Sequence, residues 1–227
     1  MKTLLVLGGG TAGTMMANKL AATLPDDSWQ IVVVDRDDEH VYQPGLLFVP
    51  FGQYRPDELV RPRHQFFHAR VKVVNAEIDT IDAKANVVSL QGGETLPYDV
   101  LIIATGSVIH PEWTEGLTGP WWGTDALDFY TVAGSTALAK RLESFKSGRL
   151  VVHITDMPIK CPVAPLEFVL LADAYFTKRG IRDDVELIFV TPLDGAFTKP
   201  IAAAAFGSMM ADRNIEVVTE FNVAEVL

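Results

Sequence analysis

Cysteine is nearly absent: Cys161 stands alone among 227 residues. That excludes a disulfide closed within the chain and any CxxC metal site. The five histidines, His40, His64, His68, His110 and His153, show no HExxH or comparable ligand spacing, so no metal centre is expected. Basic residues are also short, with 19 Lys and Arg against 29 Asp and Glu, a net charge of −10 and no basic run. A nucleic-acid surface needs a basic patch, so nucleic acid is excluded as a partner. No stretch approaches the run of about 20 apolar residues that spans a bilayer. The opening MKTLLVLGGG runs into glycines without a cleavage-type site and reads as a first strand rather than a signal peptide. A further lack is local: no glycine occurs between Gly148 and Gly180.

What is present is ample core material. With 48% hydrophobic and 21% charged residues, the composition fits a globular chain of one large or two modest domains. TLLVLGGG, TAGTMMANKLAATLP and WQIVVVDRD read as strand, helix and strand, a βαβ unit. Residues 44–68 are loop-rich and aromatic, with a short helix expected near 56–66. VKVVNAEIDTID, NVVSLQGGETL and YDVLIIATG are three strand signals, read as a small meander returning to a parallel sheet. Residues 107–135 carry much Gly, Pro and Trp and read as a crossing segment, in which Trp121 and Trp122 are packing residues. A helix is expected over about 135–146. From Gly148 the strand and helix alternation restarts, with Pro165 and Glu167 at a helix start and Gly180 at its end. AAAAFGSMM reads as a close-packed helix and His40 as a surface histidine. The fold class expected is α/β: a Rossmann-like doubly wound parallel sheet with a small β-meander (1–112), a crossing segment (113–147) and a second, truncated Rossmann-like unit (148–227).

The first βα turn carries the chemistry. GGGTAG places Gly8, Gly10 and Gly13 in GxGxxG register between strand and helix, and Asp35 follows Gly13 by 22 residues at the end of the second strand. Gly8 permits the tight turn, Gly10 lets backbone approach a pyrophosphate, and Gly13 lets helix pack on strand. The helix N-terminus faces the phosphates and Asp35 accepts from ribose hydroxyls. This indicates a dinucleotide without choosing between FAD and NAD. In the second unit, TDMPIKCPVAP occupies the corresponding turn and offers no glycines to cradle a second pyrophosphate, which argues against NAD(P)H as donor. Cys161 takes that place, with Lys160 before it and a helix after it, and both features favour thiolate. A buried structural cysteine is the alternative.

Thr105 and Gly106, in ATG after the meander, resemble the second signature of two-dinucleotide-binding-domain flavoproteins, in which this turn lies close to FAD. KCPVAPLEF resembles the KCPxAPxEF segment of sulfide:quinone oxidoreductases and flavocytochrome c sulfide dehydrogenases, and HVYQPGLLFVPFG resembles their segment after the ribose-binding acid. The resemblance covers essentially the whole chain and matches the N-terminal half to two-thirds of such an enzyme. It implies FAD as cofactor and sulfide and quinone as substrates, with a cytochrome as the other acceptor open. Cys161 would accept sulfur and Glu167 would handle protons. In that family the cysteine pairs across the flavin with a second, C-terminal one, which this chain lacks. The chain is therefore expected to be inactive alone, as part of a protein peripheral on a membrane, with a cytoplasmic or inner-membrane-peripheral location and a homodimer allowed. A type II NADH:quinone dehydrogenase and a non-catalytic nucleotide-binding module are the alternatives.

Overall fold

Leu4–Leu7 offer no polar face to water, and β1 (Lys2–Leu7) is accordingly a buried inner strand of a parallel sheet. Such strands are covered on both faces and read as continuous apolar runs. The computed structural model describes residues 1–227 and separates into two units, Met1–Tyr42 with Asp57–Val108, and Gln43–Pro56 with Ile109–Leu227. In the first, α1 (Thr11–Thr23) connects β1 to β2 (Trp29–Asp35), and the strands pair in parallel with Leu4 opposite Ile31. The face that α1 buries is made of small residues, Gly13, Thr14, Ala17 and Ala21, while Met15 and Met16 point outward. Small residues let the helix axis approach Leu4, Val6, Ile31 and Val33 closely.

The segment after β2 departs from the expected short helix over 56–66. β3 (Glu39–Val41) is followed by a 3-10 helix over Gln43–Phe51 and then by a single turn, α2 (Pro56–Leu59), after which β4 (Val60–Pro62) pairs antiparallel with β3. Pro62 lacks the N–H that a continuing helix would need, and Arg63–Phe66 form a 3-10 turn instead. The meander also differs in its parts. VKVVNAEIDTID breaks at Asn75, so that β5 (Val71–Asn75) lies parallel to β2 while β6 (Ile78–Asp82) turns away. β6, β7 (Val87–Leu90) and β8 (Thr95–Pro97) make the antiparallel meander, and β9 (Val100–Ile103) returns beside β1. The parallel sheet runs β5-β2-β1-β9.

The second unit repeats the alternation. α3 (Val132–Ser144) starts three residues earlier than expected because Thr131 caps it, its hydroxyl accepting from the Gly134 N–H at 2.9 Å. β10 (Gly148–His153), α4 (Ala164–Arg179), β11 (Val185–Val190), α5 (Pro200–Ala211) and β12 (Ile215–Val218) follow, giving a parallel sheet β10-β11-β12. Gly180 ends α4 in the left-handed conformation, φ 70°, the usual glycine stop. Val169, Ala172 and Phe176 of α4 pack into one core with Leu187 and Phe189 of β11. Burying each large side chain contributes roughly 1.5–3 kcal/mol.

Residues 43–56 group with this second unit rather than with the residues around them in sequence. Leu47 enters the core shared with Leu138 and Leu142, and the Phe51 ring lies 5.1 Å from that of Phe168. The unit boundaries thus interleave, where the sequence reading drew a continuous first unit over 1–112. α5 is not close-packed: only Met210 is buried, and Ile201 is 89% exposed. His40 is not a free surface residue either, since its Nδ1 is buried without a partner and its ring lies 4.7 Å from Phe66.

His153, at the end of β10, is partly buried with Nε2 unpartnered, and desolvation holds its imidazole below the usual histidine range. The unfolded chain takes up this proton at about pH 6.5 while the folded chain resists it. The contribution to stability is therefore intact above about pH 6.5 and falls as the pH drops from there toward the lowered folded value. His153→Phe should melt near the parent at pH 8 and above it at pH 5. Parallel melting profiles for the two proteins across that range would show that the ring titrates freely.

Candidate active site

In the first unit, the glycine turn is built by close approach. Gly8 has φ +93°, and a Cβ there would stand 2.3 Å from the Ala104 carbonyl oxygen and 2.9 Å from Thr105 Cα. The GxGxxG turn and the ATG turn therefore lie against each other at the carboxyl ends of β1 and β9. Gly106 continues the second turn at φ +77°. A Cβ on Gly13 would sit 1.8 Å from the Gly8 carbonyl oxygen, so only glycine lets α1 come this near. The Thr14 hydroxyl donates to the Gly9 carbonyl at 2.9 Å and steadies the turn.

These residues fit a dinucleotide pyrophosphate. Gly10 occupies the cap position of α1, has open space where a side chain would be, and the helix begins with no side-chain cap and no acid in its first turn. The first-turn N–H groups and the positive end of the helix dipole are left for an anion. Asp35 sits beside them, its Oδ2 accepting from the Gly9 N–H at 2.6 Å. Sequence reasoning missed the residue that backs this pair: Arg63 is buried and pairs with Asp35 at 3.2 Å. No motif marks an arginine 28 positions after the acid, because folding alone brings them together.

In the second unit, Cys161 lies in the turn from β10 to α4, where its side chain is exposed. Its φ of +56° is left-handed, an unfavourable conformation for a residue with a Cβ. The Cys161 carbonyl accepts from the Ala164 N–H at 3.1 Å, and α4 begins with no side-chain cap. Pro165 is buried in the first turn and Glu167 is exposed there, its N–H donating to the Val163 carbonyl at 3.0 Å. Tyr130 is a second residue the sequence did not signal. Its ring stacks 4.8 Å from Phe129, which stacks 4.8 Å from Phe168 of α4, and its hydroxyl is buried without a partner. Burial first, with the charge of Cys161 adding to it, pushes the Tyr130 hydroxyl up to about 12. Gly8, Gly13, Asp35, Thr105 and Gly106 thus gather in one unit, and Cys161 and Glu167 stand at one helix start in the other. No group of three or more His, Cys, Asp or Glu side chains is placed to hold a metal ion.

Residues 2–152 match the family described as pyridine nucleotide-disulphide oxidoreductase. The chain belongs to that family. This oxidoreductase is 28% identical over 222 residues to the mitochondrial sulfide:quinone oxidoreductase of Mus musculus, covering 98% of this chain and 49% of that protein. The X-ray structure of the sulfide:quinone oxidoreductase from Aquifex aeolicus superposes with a TM-score of 0.83 at 22% identity, over 100% of this chain and 53% of that one. A type II NADH:quinone oxidoreductase of Staphylococcus haemolyticus is 31% identical over 106 residues, which cover 46% of this chain and 26% of that protein. The oxidoreductase spans about half the length of the curated sulfide:quinone relatives it matches. Its fold is the Rossmann-like FAD-binding α/β fold, and the cofactor of the family is FAD. No helix is long and apolar enough to cross a membrane.

Proposed function

We propose that this flavin oxidoreductase oxidises sulfide, with Cys161 as the sulfur acceptor and a quinone as the final acceptor. The observation that carries the reading is the exposed cysteine in a left-handed turn at a helix start, in a βα turn that has no glycines to cradle NAD(P)H. Gly8, Gly10, Gly13 and Asp35 would hold the ADP part of FAD, with Thr105 and Gly106 bordering the cofactor. When bound, FAD supplies a two-electron acceptor. The chain supplies the nucleophile: an S–S bond forms between Cys161 Sγ and the sulfide sulfur, the S–H bond breaks, its proton leaves, and two electrons pass to the acceptor. Glu167, exposed in the first turn of α4, is the candidate to take that proton.

Cys161 is the chain's only cysteine, so a cysteine pair cannot close within these 227 residues. We therefore expect the chain by itself to manage at most this half-reaction, and repeated turnover to need a further thiol. The similarity to sulfide:quinone oxidoreductases along the whole chain supports the reading, whereas the type II NADH:quinone sequence matches span about half of it. Anaerobic mixing of the FAD-loaded protein with sulfide and, separately, with NADH tests it. Loss of the oxidised flavin absorbance with sulfide is the expected result. Bleaching by NADH alone would make it an NADH dehydrogenase, and a flavin that stays oxidised with both would leave a nucleotide-binding module.

A further inference from the structure

Arg63 is an arginine in the wrong environment for a solvated cation. It is 5% exposed, its Nε is buried without a partner, and its stem crosses the glycine turn so closely that a Cβ on Gly9 would lie 2.5 Å from Arg63 Cδ. Burying a guanidinium costs several kcal/mol unless it is paired and hydrogen-bonded. Here the remaining nitrogens find partners on one short segment. Nη1 pairs with Asp35 Oδ1 at 3.2 Å and donates to the Asp37 carbonyl, while Nη2 pairs with Asp37 Oδ1 at 3.0 Å and donates to the Glu39 carbonyl. The Arg63 backbone N–H donates to the Asp38 carbonyl at 2.7 Å, so main chain and side chain hold the same loop.

The consequence falls on Asp35. Its Oδ2 receives the Gly9 N–H at 2.6 Å, while its Oδ1 receives the Arg36 N–H at 2.8 Å and is ion-paired with Arg63 Nη1 at 3.2 Å. A carboxylate so held cannot rotate. Each oxygen nevertheless keeps acceptor capacity, because a carboxylate offers about four lone-pair sites. We propose that Arg63 is a positioning residue of the dinucleotide site: packed across Gly9, it locks the Asp35 carboxylate to the glycine turn, and so fixes the acceptor geometry that selects a ligand with a ribose 2′-hydroxyl. Arg63 itself touches Asp35 and the turn, and acts on the ligand through them. The inference rests on the reading of this turn as the site of the ADP part of FAD.

The test uses ADP and 2′-deoxy-ADP as probes, titrated into the purified chain, with melting temperature recorded for every variant. The parent should bind ADP at least tenfold more tightly than 2′-deoxy-ADP. Arg63→Gln should weaken ADP at least tenfold and reduce that discrimination to less than twofold, and on an Asp35→Asn background the same substitution should change ADP affinity less than twofold. A structural role alone would weaken both probes equally and on both backgrounds, and that result overturns the inference. Arg63→Lys keeps the charge and much of the stem but not the two-pronged geometry. It should reproduce the loss of discrimination even where Arg63→Gln fails to fold, and a lysine variant that discriminates like the parent also overturns it. If the parent binds no ADP, or does not distinguish the two probes, the underlying reading of the site fails instead.

Discussion

Cys161→Ser is expected to slow sulfide-dependent flavin reduction by at least about a hundredfold, roughly 2.7 kcal/mol of barrier, while FAD content stays at the parental level. A hydroxyl is a far weaker nucleophile than a thiolate and cannot form the S–S bond on which sulfur transfer depends. The side chain is exposed, so the substitution removes little packing and should leave stability within about 0.5 kcal/mol. Cys161→Gly makes the separation sharper. A residue with a Cβ at φ +56° carries a cost of roughly 1–2 kcal/mol that glycine does not, partly offset by the greater freedom of glycine in the unfolded chain. The glycine variant should therefore be about as stable as the parent, or more so, yet equally unreactive with sulfide. A large loss of stability in Cys161→Gly would instead make the side chain structural, and a serine variant that reduces its flavin at the parental rate would remove Cys161 from the chemistry.

The retention of cysteine in a left-handed turn separates what was legible in the sequence from what was not. Periodicity marked β1, α1 and β2, because a continuous apolar run and a helical repeat are local signals, and the glycine spacing marked the turn between them. The same holds for α4, where Pro165 and Gly180 bracket the helix. Pairing was less legible. VKVVNAEIDTID reads as one strand signal, yet the chain breaks between Asn75 and Ile78, at residues that favour strands little, and β5 joins the parallel sheet while β6 joins the meander. Residues 43–56 follow the first βαβ unit in sequence, but Leu47, Phe48 and Phe51 pack into the second core, a choice made by long-range packing.

The site shows the same division. Gly8, Gly10, Gly13 and Asp35 stand in a motif whose spacing can be read directly, and the structure places Asp35 against the Gly9 N–H. Arg63 and Tyr130 carry no spacing signal, since each matters through a partner distant in sequence or through burial. The α5 sequence misled for a related reason. Small apolar residues suit a buried helix, but composition does not say whether a neighbouring element comes close enough to cover it.

Gly10→Ala and Gly13→Ala, three residues apart in one motif, should fail in opposite ways. At Gly13 the added methyl would sit 1.8 Å from the Gly8 carbonyl oxygen and 2.9 Å from its carbon, both backbone atoms that cannot swing aside, so α1 must move off the sheet or the turn must open. Overpacking of this kind costs typically about 1–3 kcal/mol, occasionally more, and for a chain of this size each kcal/mol lowers the melting temperature by about 2–4 °C. Gly13→Ala is thus expected to melt roughly 5–10 °C below the parent and to bind FAD poorly as a consequence. At Gly10 nothing lies within 4 Å of the added methyl and φ is −70°, so the folded chain accommodates alanine with a change of less than about 1 kcal/mol. The open space beside Gly10 is where a pyrophosphate would approach the N–H groups of α1, and a methyl there keeps it away. Gly10→Ala should therefore melt within about 3 °C of the parent yet bind FAD at least tenfold more weakly. Melting curves and FAD titrations of the two variants, run side by side, separate packing from ligand approach. Parental FAD affinity in a well-folded Gly10→Ala would mean that the cofactor does not use the helix N-terminus.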